Sequence, residues 1–251
     1  MRVQLAGSSM TSLLTIGNPK TLKGEAAGYL TAILHLAPAN VAGFGTVCPK
    51  ATAGCMATCL NTAGRGGMWS KATGSLTASA SAIQAARARR TAYLKLDRSG
   101  FEATLARSVA RHVERAHRAG LTPAVRVNGT SDLPSLAMGL ATRFPGVQFY
   151  DYTKLPRAWG RHTANYHLTF SRSESNAADV RSALAHGLNV AVVFSTRRGR
   201  PLPVTWHGRR VIDGDKHDLR FLDPKGVVVG LRAKGRARRD TSGFVVQVTE
   251  E

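Results

Sequence analysis

All three cysteines of this 251-residue chain lie within twelve residues, CPKATAGCMATC, at Cys48, Cys55 and Cys59. An odd number excludes a complete internal disulfide framework. If the segment is helical, Cys55 and Cys59 face the same side because they are four residues apart. Cys48 comes from the preceding loop, just before Pro49, which restricts the chain at that turn. The spacing therefore allows three thiolates to converge on one point, and such soft ligands select zinc, copper(I) or iron–sulfur clusters.

The residues alone leave three interpretations of this stretch open. A structural zinc site needs four protein ligands, so a distant residue such as His35, His167 or His217 would have to supply the fourth. A [4Fe–4S] cubane needs only three thiolates and leaves one iron open for a substrate or cofactor. Free cysteines are also often plain core residues. We favour the cluster, because three structural cysteines have no reason to crowd one glycine-rich loop.

Apolar runs alternate with helical patterns along the rest of the chain. We predict strands at 28–38, 123–129, 146–152, 165–171, 188–195 and 226–232, and helices at 79–96, 99–120, 132–144 and 176–187. This alternation indicates a parallel sheet covered by helices. Six strands are too few for a full eight-unit barrel. We therefore predict an α/β fold, either a partial (β/α)6 barrel or an open parallel sheet.

The carboxyl ends of the predicted strands are consistently polar, and parallel α/β folds place their chemistry at those ends. The tracts there are the cysteine loop, Asn128–Asp132, Tyr152–Lys154, Ser171–Ser175 and Ser195–Arg198. Each tract by itself could be a helix cap or a turn. Five together predict one rim that faces the cysteines.

The chain carries 35 Lys and Arg against 15 Asp and Glu, a net charge of +20, with basic clusters at 86–90, 195–200 and 232–240. Such a field attracts polyanions, so DNA or RNA is a candidate partner, and a merely solvated basic surface is the alternative. We find no zinc-finger spacing, RNP-type motif or clear helix-turn-helix, and only 6% of residues are aromatic. The charge thus predicts phosphate contact without base reading.

Length and composition predict one α/β domain over residues 1–251, with a cysteine loop at 44–67 and a basic C-terminal tail at 232–251. No run of about 18 uninterrupted apolar residues predicts a membrane span. The N-terminus lacks a convincing secretory signal. We therefore expect a cytoplasmic protein without a membrane partner.

The segment HGRRVIDGDKHDLRFLDPKG, residues 207–226, holds several possible metal ligands: Asp213, Asp215, His217, Asp218 and Asp223. It lacks the glycine and glutamate spacing of a calcium loop. We predict instead that Asp213 and Gly214 form a turn between short strands, with the charges in water.

The tracts CPKATAGCMATCL, RVNGTSD and FYDYTK together resemble a family of phage proteins called gene product 88. The likeness runs from Gly17 to Arg232. The arrangement is also similar to radical SAM enzymes, in which a three-cysteine loop after the first strand of a partial (β/α)6 barrel holds a [4Fe–4S] cluster. By that resemblance, Cys48, Cys55 and Cys59 are the cluster ligands. Their spacing, C-x6-C-x3-C, departs from the usual C-x3-C-x2-C.

The radical SAM resemblance implies an enzyme in which S-adenosylmethionine (SAM) binds the open iron and is cleaved to start radical chemistry. The cofactor-binding residues would be Asn128, Asp132, Tyr152 and Lys154, and Lys154 or Arg198 could face an anionic substrate. The alternative is a non-catalytic nucleic-acid-binding protein with a structural cluster or zinc site. A cavity lined by Asp132, Tyr152 and Lys154 within reach of the cysteines would favour the enzyme.

Overall fold

A mixed α/β sheet of nine strands forms the centre of the molecule. The structure is a computed structural model that describes residues 10–17, 19–70, 75–159 and 163–248. Its strands are β1 (Leu14–Thr15), β2 (Tyr29–Leu34), β3 (Trp69–Ser70), β4 (Ser75–Leu76), β5 (Thr122–Arg126), β6 (Gln148–Thr153), β7 (Tyr166–Ser171), β8 (Val190–Phe194), β9 (Thr205–Trp206), β10 (Arg209–Asp213) and β11 (Val228–Arg232). Its helices are α1 (Pro19–Glu25), α2 (Ala53–Ala57), α3 (Ala78–Leu96), α4 (Arg98–Arg118), α5 (Pro134–Arg143) and α6 (Ala177–Ala185).

The sheet has the order β1-β2-β5-β6-β7-β8-β11-β10-β9, while β3 and β4 form a separate pair. The strands from β2 to β10 in this order are parallel, and β1 and β9 add one antiparallel strand at each edge. All six predicted strands and all four predicted helices are confirmed. The sheet is open at both edges, so the barrel alternative is not confirmed.

Helix α4 packs on one face of the sheet through the apolar stripe that its sequence carries. Phe101, Leu105 and Val109 recur every four residues and are all fully buried. They belong to the same hydrophobic core as Val125 of β5 and Phe149 of β6. This packing fixes the side chains of β5 and β6 that point away from α4 toward the opposite face.

The opposite face of the sheet is polar and is covered by the chain between β10 and β11. Alternate residues point there, including Arg126 of β5 and Tyr150 of β6. The ring of Phe221 packs edge-on against Tyr29 and Tyr150, with centroids 4.9 and 5.5 Å away. A short 3-10 helix at 220–222 contacts β6 and β7. This segment therefore fills the inner side of the curved sheet in place of a second helical layer.

A buried ion pair joins this segment to the sheet. Arg126 Nη1 lies 3.1 Å from Asp218 Oδ2, and each residue is only 7% exposed. The prediction that the acidic residues of 207–226 stand in water is therefore wrong for Asp218. The predicted turn at Asp213 and Gly214 is not a hairpin either, because β10 and β11 are parallel. The chain instead crosses the inner face to reach β11.

We predict that Asp218→Asn lowers the free energy of unfolding by about 3 kcal/mol, because it leaves the Arg126 charge buried without its counter-ion. Urea denaturation measures the loss. The control is Glu102→Gln in the exposed pair Arg98–Glu102, where less than about 0.5 kcal/mol should be lost. Equal losses in the two variants would contradict this assignment of the ion pair.

Candidate functional site

A cavity of about 390 Å³ opens at the carboxyl ends of the parallel strands. All the residues that the sequence predicted to bind a cluster or a cofactor line it: Cys48, Cys55, Cys59, Asn128, Asp132, Tyr152 and Lys154. The structure thus brings together three tracts that follow three different strands. Ser171, at the end of β7, lines the same cavity, whereas Ser195–Arg198 is not among the lining residues.

Helix α2, which carries Cys55, is held at its N-terminus by a residue from the far side of the cavity. Glu174 Oε1 accepts from the amide of Gly54 at 2.7 Å, and its Oε2 accepts from Thr52 Oγ1 at 2.8 Å. Thr52 Oγ1 in turn accepts from the amide of Cys55 at 3.2 Å. A Cβ at Gly54 would collide with Glu174 and Ser242, so glycine is required there. The loop after β7 therefore positions the cysteine helix.

Cys48 is half-buried at the other end of the segment. Its Sγ accepts from the amide of Ala39 at 3.3 Å and lies 3.7 Å from the carbonyl oxygen of Thr130. Burial raises the pKa of Cys48 to about 11, and the negative charges of Cys59, Asp132 and Cys55 raise it further against the opposing bond from Ala39. The three sulfurs are therefore within electrostatic reach of one another. A bound cation would relieve this mutual repulsion.

Cys59 follows α2 and is braced by helix α3. Burial raises the pKa of Cys59, while nearby Lys154 and Arg87 act in the opposite direction. Arg87 Nη1 donates to the side-chain oxygen of Asn61 at 2.5 Å and to its carbonyl oxygen at 3.2 Å. Part of the basic cluster at 86–90 therefore has a structural role beside the cysteines.

Within the described residues, no three His, Cys, Asp or Glu side chains are grouped so that they could hold a metal ion. That arrangement is the one a single zinc ion needs. A cubane needs it less, because each of its three thiolates binds a different iron. Of the three histidines considered as a distant fourth ligand, His217 lines the cavity, and His35 and His167 are not among the lining residues.

Asn128 shapes the loop after β5 with its side-chain amide. The amide nitrogen donates to Asp151 Oδ2 at 2.8 Å, and its oxygen accepts from Ser131 Oγ and from the amide of Leu133. Asp151 is fully buried and also accepts from the Asn128 backbone amide at 2.7 Å. Burial, opposed by these hydrogen bonds, raises the pKa of Asp151 to about 7. The structure therefore shows Asn128 engaged as a positioning residue.

Asp132 is 9% exposed and ties together three loops. Its amide donates to the carbonyl oxygen of Val47, just before Cys48, and its Oδ2 accepts from the amide of Lys154 at 2.8 Å. Its Oδ1 is buried and has no hydrogen-bond partner. Burial raises the pKa of Asp132, against the opposing bonds from Lys154 and Thr153. The site thus contains a carboxylate oxygen that the chain itself leaves unsatisfied.

Lys154 and Tyr152 extend the site along β6 and toward β7. Lys154 Nζ donates to Ser171 Oγ at 3.1 Å and lies 5.8 Å from the centroid of the Phe244 ring. The Tyr152 ring carries the Arg126 guanidinium over its face, 4.5 Å from the centroid. Burial raises the pKa of Tyr152, so its hydroxyl stays protonated.

Sequence reasoning missed three functional positions: Arg126 at the inner side of the cavity, Glu174 and Phe244. Arg126 was detectable as a lone charge inside the apolar run PAVRVNG, because a buried charge needs a partner. Nothing in the sequence pointed to Phe244, which reaches the cavity only because the C-terminal segment folds back.

The described part of the predicted basic tail is packed against the sheet and the cysteine loop. Ala237 and Phe244 line the cavity, and the amide of Ser195 donates to the carbonyl oxygen of Val246 at 2.9 Å. This contact covers the end of β8. Arg198, predicted as a possible substrate contact, is exposed and is not among the residues that line the cavity.

A family model described as gene product 88 matches residues 12–248 of the chain. No curated protein and no solved structure matches it. Among the described helices, none is long and apolar enough to cross a membrane.

We predict that Glu174→Ala raises the rate of Cys55 modification by a thiol reagent about 5-fold in reduced, metal-free protein. The variant removes two bonds at the start of α2, and a lost helix cap costs about 1 kcal/mol. Peptide mapping by mass spectrometry assigns the rate to Cys55. The control is Glu114→Ala on the exposed side of α4, where no change is expected. An unchanged Cys55 rate would show that Glu174 does not hold the helix.

Proposed function

The chain belongs to the phage gene product 88 family, and we propose that it is an iron–sulfur protein with a small-molecule site. Cys48, Cys55 and Cys59 hold a [4Fe–4S] cluster whose fourth iron faces the cavity. The observation that carries the proposal is that all three half-buried thiols line one cavity. The family match by itself names no activity.

The surroundings of the cysteines support this donor set. Soft thiolates prefer clusters and zinc, and the mutual repulsion that raises the pKa of Cys48 disappears when the sulfurs share a cationic centre. Lys154 lies within electrostatic reach of Cys59 and would balance the negative charge of a thiolate-bound cluster. A bound cluster would supply one-electron chemistry and an open coordination position.

The chain's own contribution is to shape and partly dry the space beside that position. The cavity falls in the size range of ligand pockets, about 300–1,000 Å³. Asp132, Tyr152 and Lys154 line it together with the cysteines, which is the arrangement that favours an enzyme over a purely structural cluster. SAM is the candidate ligand, and a radical SAM-like reaction is the finer form of this proposal.

We predict that anaerobically purified protein is brown and contains about four iron and four sulfide per chain, as a cubane requires. Cys55→Ser should lose most of the iron and the visible absorption. The control is Met56→Ala, which changes an exposed neighbour on the same helix and should keep both. Elemental analysis and absorption spectra of the three proteins give the answer.

Zinc as the only bound metal would overturn the cluster. If the cluster is present, SAM should alter the electron paramagnetic resonance spectrum of the reduced protein. An unchanged spectrum at saturating SAM would remove SAM as the ligand of the open iron while leaving the iron–sulfur assignment in place.

Nucleic-acid binding is a second candidate function, and the placement of the basic C-terminal segment favours it. Arg236, Arg238 and Arg239 are exposed on the 3-10 helix at 235–239. The same short helix contributes Ala237 to the cavity and contacts the one at 60–62, directly after Cys59. A polyanion bound by these arginines would lie at the entrance of the cavity.

We predict that reversing Arg236, Arg238 and Arg239 to Glu lowers the slope of log affinity against log salt by about 2–3 for single-stranded DNA or RNA. Each lost phosphate contact removes nearly one unit of slope. The control reverses Arg118, Arg181 and Arg210, which are exposed elsewhere. Equal slopes in both variants would show that the 235–239 helix is not the contact.

A further inference from the structure

Two opposite charges in the cavity lack a counter-ion in the described part of the chain. Asp132 Oδ1 is buried without any partner, and Lys154 Nζ has only the neutral hydroxyl of Ser171 as a hydrogen-bond acceptor. Asp132 and Lys154 are linked through the Lys154 amide, which donates to Asp132 Oδ2. They therefore stand side by side on the cavity wall.

The other charges around the cavity are already paired. Arg126 pairs with Asp218, while Arg232 and Lys234 both pair with Asp215 at 3.3 and 2.5 Å. Lys23 Nζ donates to the carbonyl oxygen of Asp215. These cations are poor sites for an additional anion, because binding one would compete with an existing ion pair. Asp132 and Lys154 remain as the pair that a ligand can complete.

We propose that the cavity recognises an α-amino-acid head group, with Asp132 binding its ammonium and Lys154 its carboxylate. A buried carboxylate oxygen without a donor is unfavourable, and a ligand N–H removes that penalty. A ligand with only an anion would satisfy Lys154 and leave Asp132 unpaired. A zwitterionic head satisfies both charges and adds no net charge to the cavity.

Both anchors are close to the cysteines. Asp132 lies within electrostatic reach of Cys48, and Lys154 of Cys59. The head group would therefore bind next to the proposed cluster. The inference deepens the proposed small-molecule site, but it depends on the cavity and not on the metal. Its source can be a free amino acid or an amino acid attached to a nucleoside.

The test measures affinity by isothermal titration calorimetry for two matched ligands and for a free amino acid. S-adenosylhomocysteine carries the head group, 5′-methylthioadenosine has the same thioether nucleoside without it, and L-methionine presents the head on a short side chain. We expect S-adenosylhomocysteine to bind at least about 10-fold more tightly than methylthioadenosine, as for a charge-assisted hydrogen bond. L-Methionine binding as tightly as S-adenosylhomocysteine would identify a free amino acid as the source.

The variants Asp132→Asn and Lys154→Met should each weaken S-adenosylhomocysteine binding about 10-fold and leave methylthioadenosine unchanged. The control Lys225→Met removes an exposed charge that is not among the lining residues and should change neither affinity. The comparison of ligands on the unaltered protein needs no variant to fold.

Equal affinities for the two nucleosides would overturn the inference. So would the absence of binding by S-adenosylhomocysteine together with the absence of a thermal shift by any of the twenty standard amino acids. Iron and sulfide are measured in the same samples. Head-group selectivity in protein without a cluster would refute the iron–sulfur proposal alone, and a cluster without selectivity would refute this inference alone.

Discussion

The parallel direction of the strands from β2 to β10 is the constraint from which the site follows. Their carboxyl ends meet at one edge of the sheet, so the loops after β2, β5, β6 and β7 border a common space. The helices that connect the strands cover the other face, where they bury the main hydrophobic core. Residues from Cys48 to Phe244 therefore line one cavity although almost two hundred positions of chain, on the order of a whole domain, separate them.

The inner face of the sheet is closed by charge pairing as much as by apolar contact. Arg126 and Asp218 are both removed from water, which is unfavourable for either one alone and tolerable only because they lie together. The pair fixes the segment between β10 and β11 on the sheet and lays the guanidinium over Tyr152. The polar interior and the cavity are thus one continuous structure, and the ion pair determines the shape of both.

The cysteine segment has little structure of its own. Helix α2 contains five residues, too few to persist in isolation. Its position depends on Glu174 after β7 and on Arg87 of α3, which binds Asn61. The bond from the Asp132 amide to Val47 fixes the other end. The geometry of the thiols is therefore set by residues that contain no sulfur and lie outside the segment.

Periodicity and composition by themselves determined the α/β class, the six long strands, the four long helices and the polar rim. Short elements such as β1, β9 and α1 escaped, because two to seven residues hold too little of a repeating pattern. The rule that ligands bind at strand ends was enough to group Asp132, Tyr152 and Lys154 with the cysteines. Only the tertiary structure decided how these groups are used. Asn128 is consumed by Asp151, while Asp132 keeps a free oxygen. Arg126 finds Asp218 at a separation of 92 residues. Pairings of this kind leave no periodic trace in a sequence, because they depend on which side chains the packed sheet brings into contact.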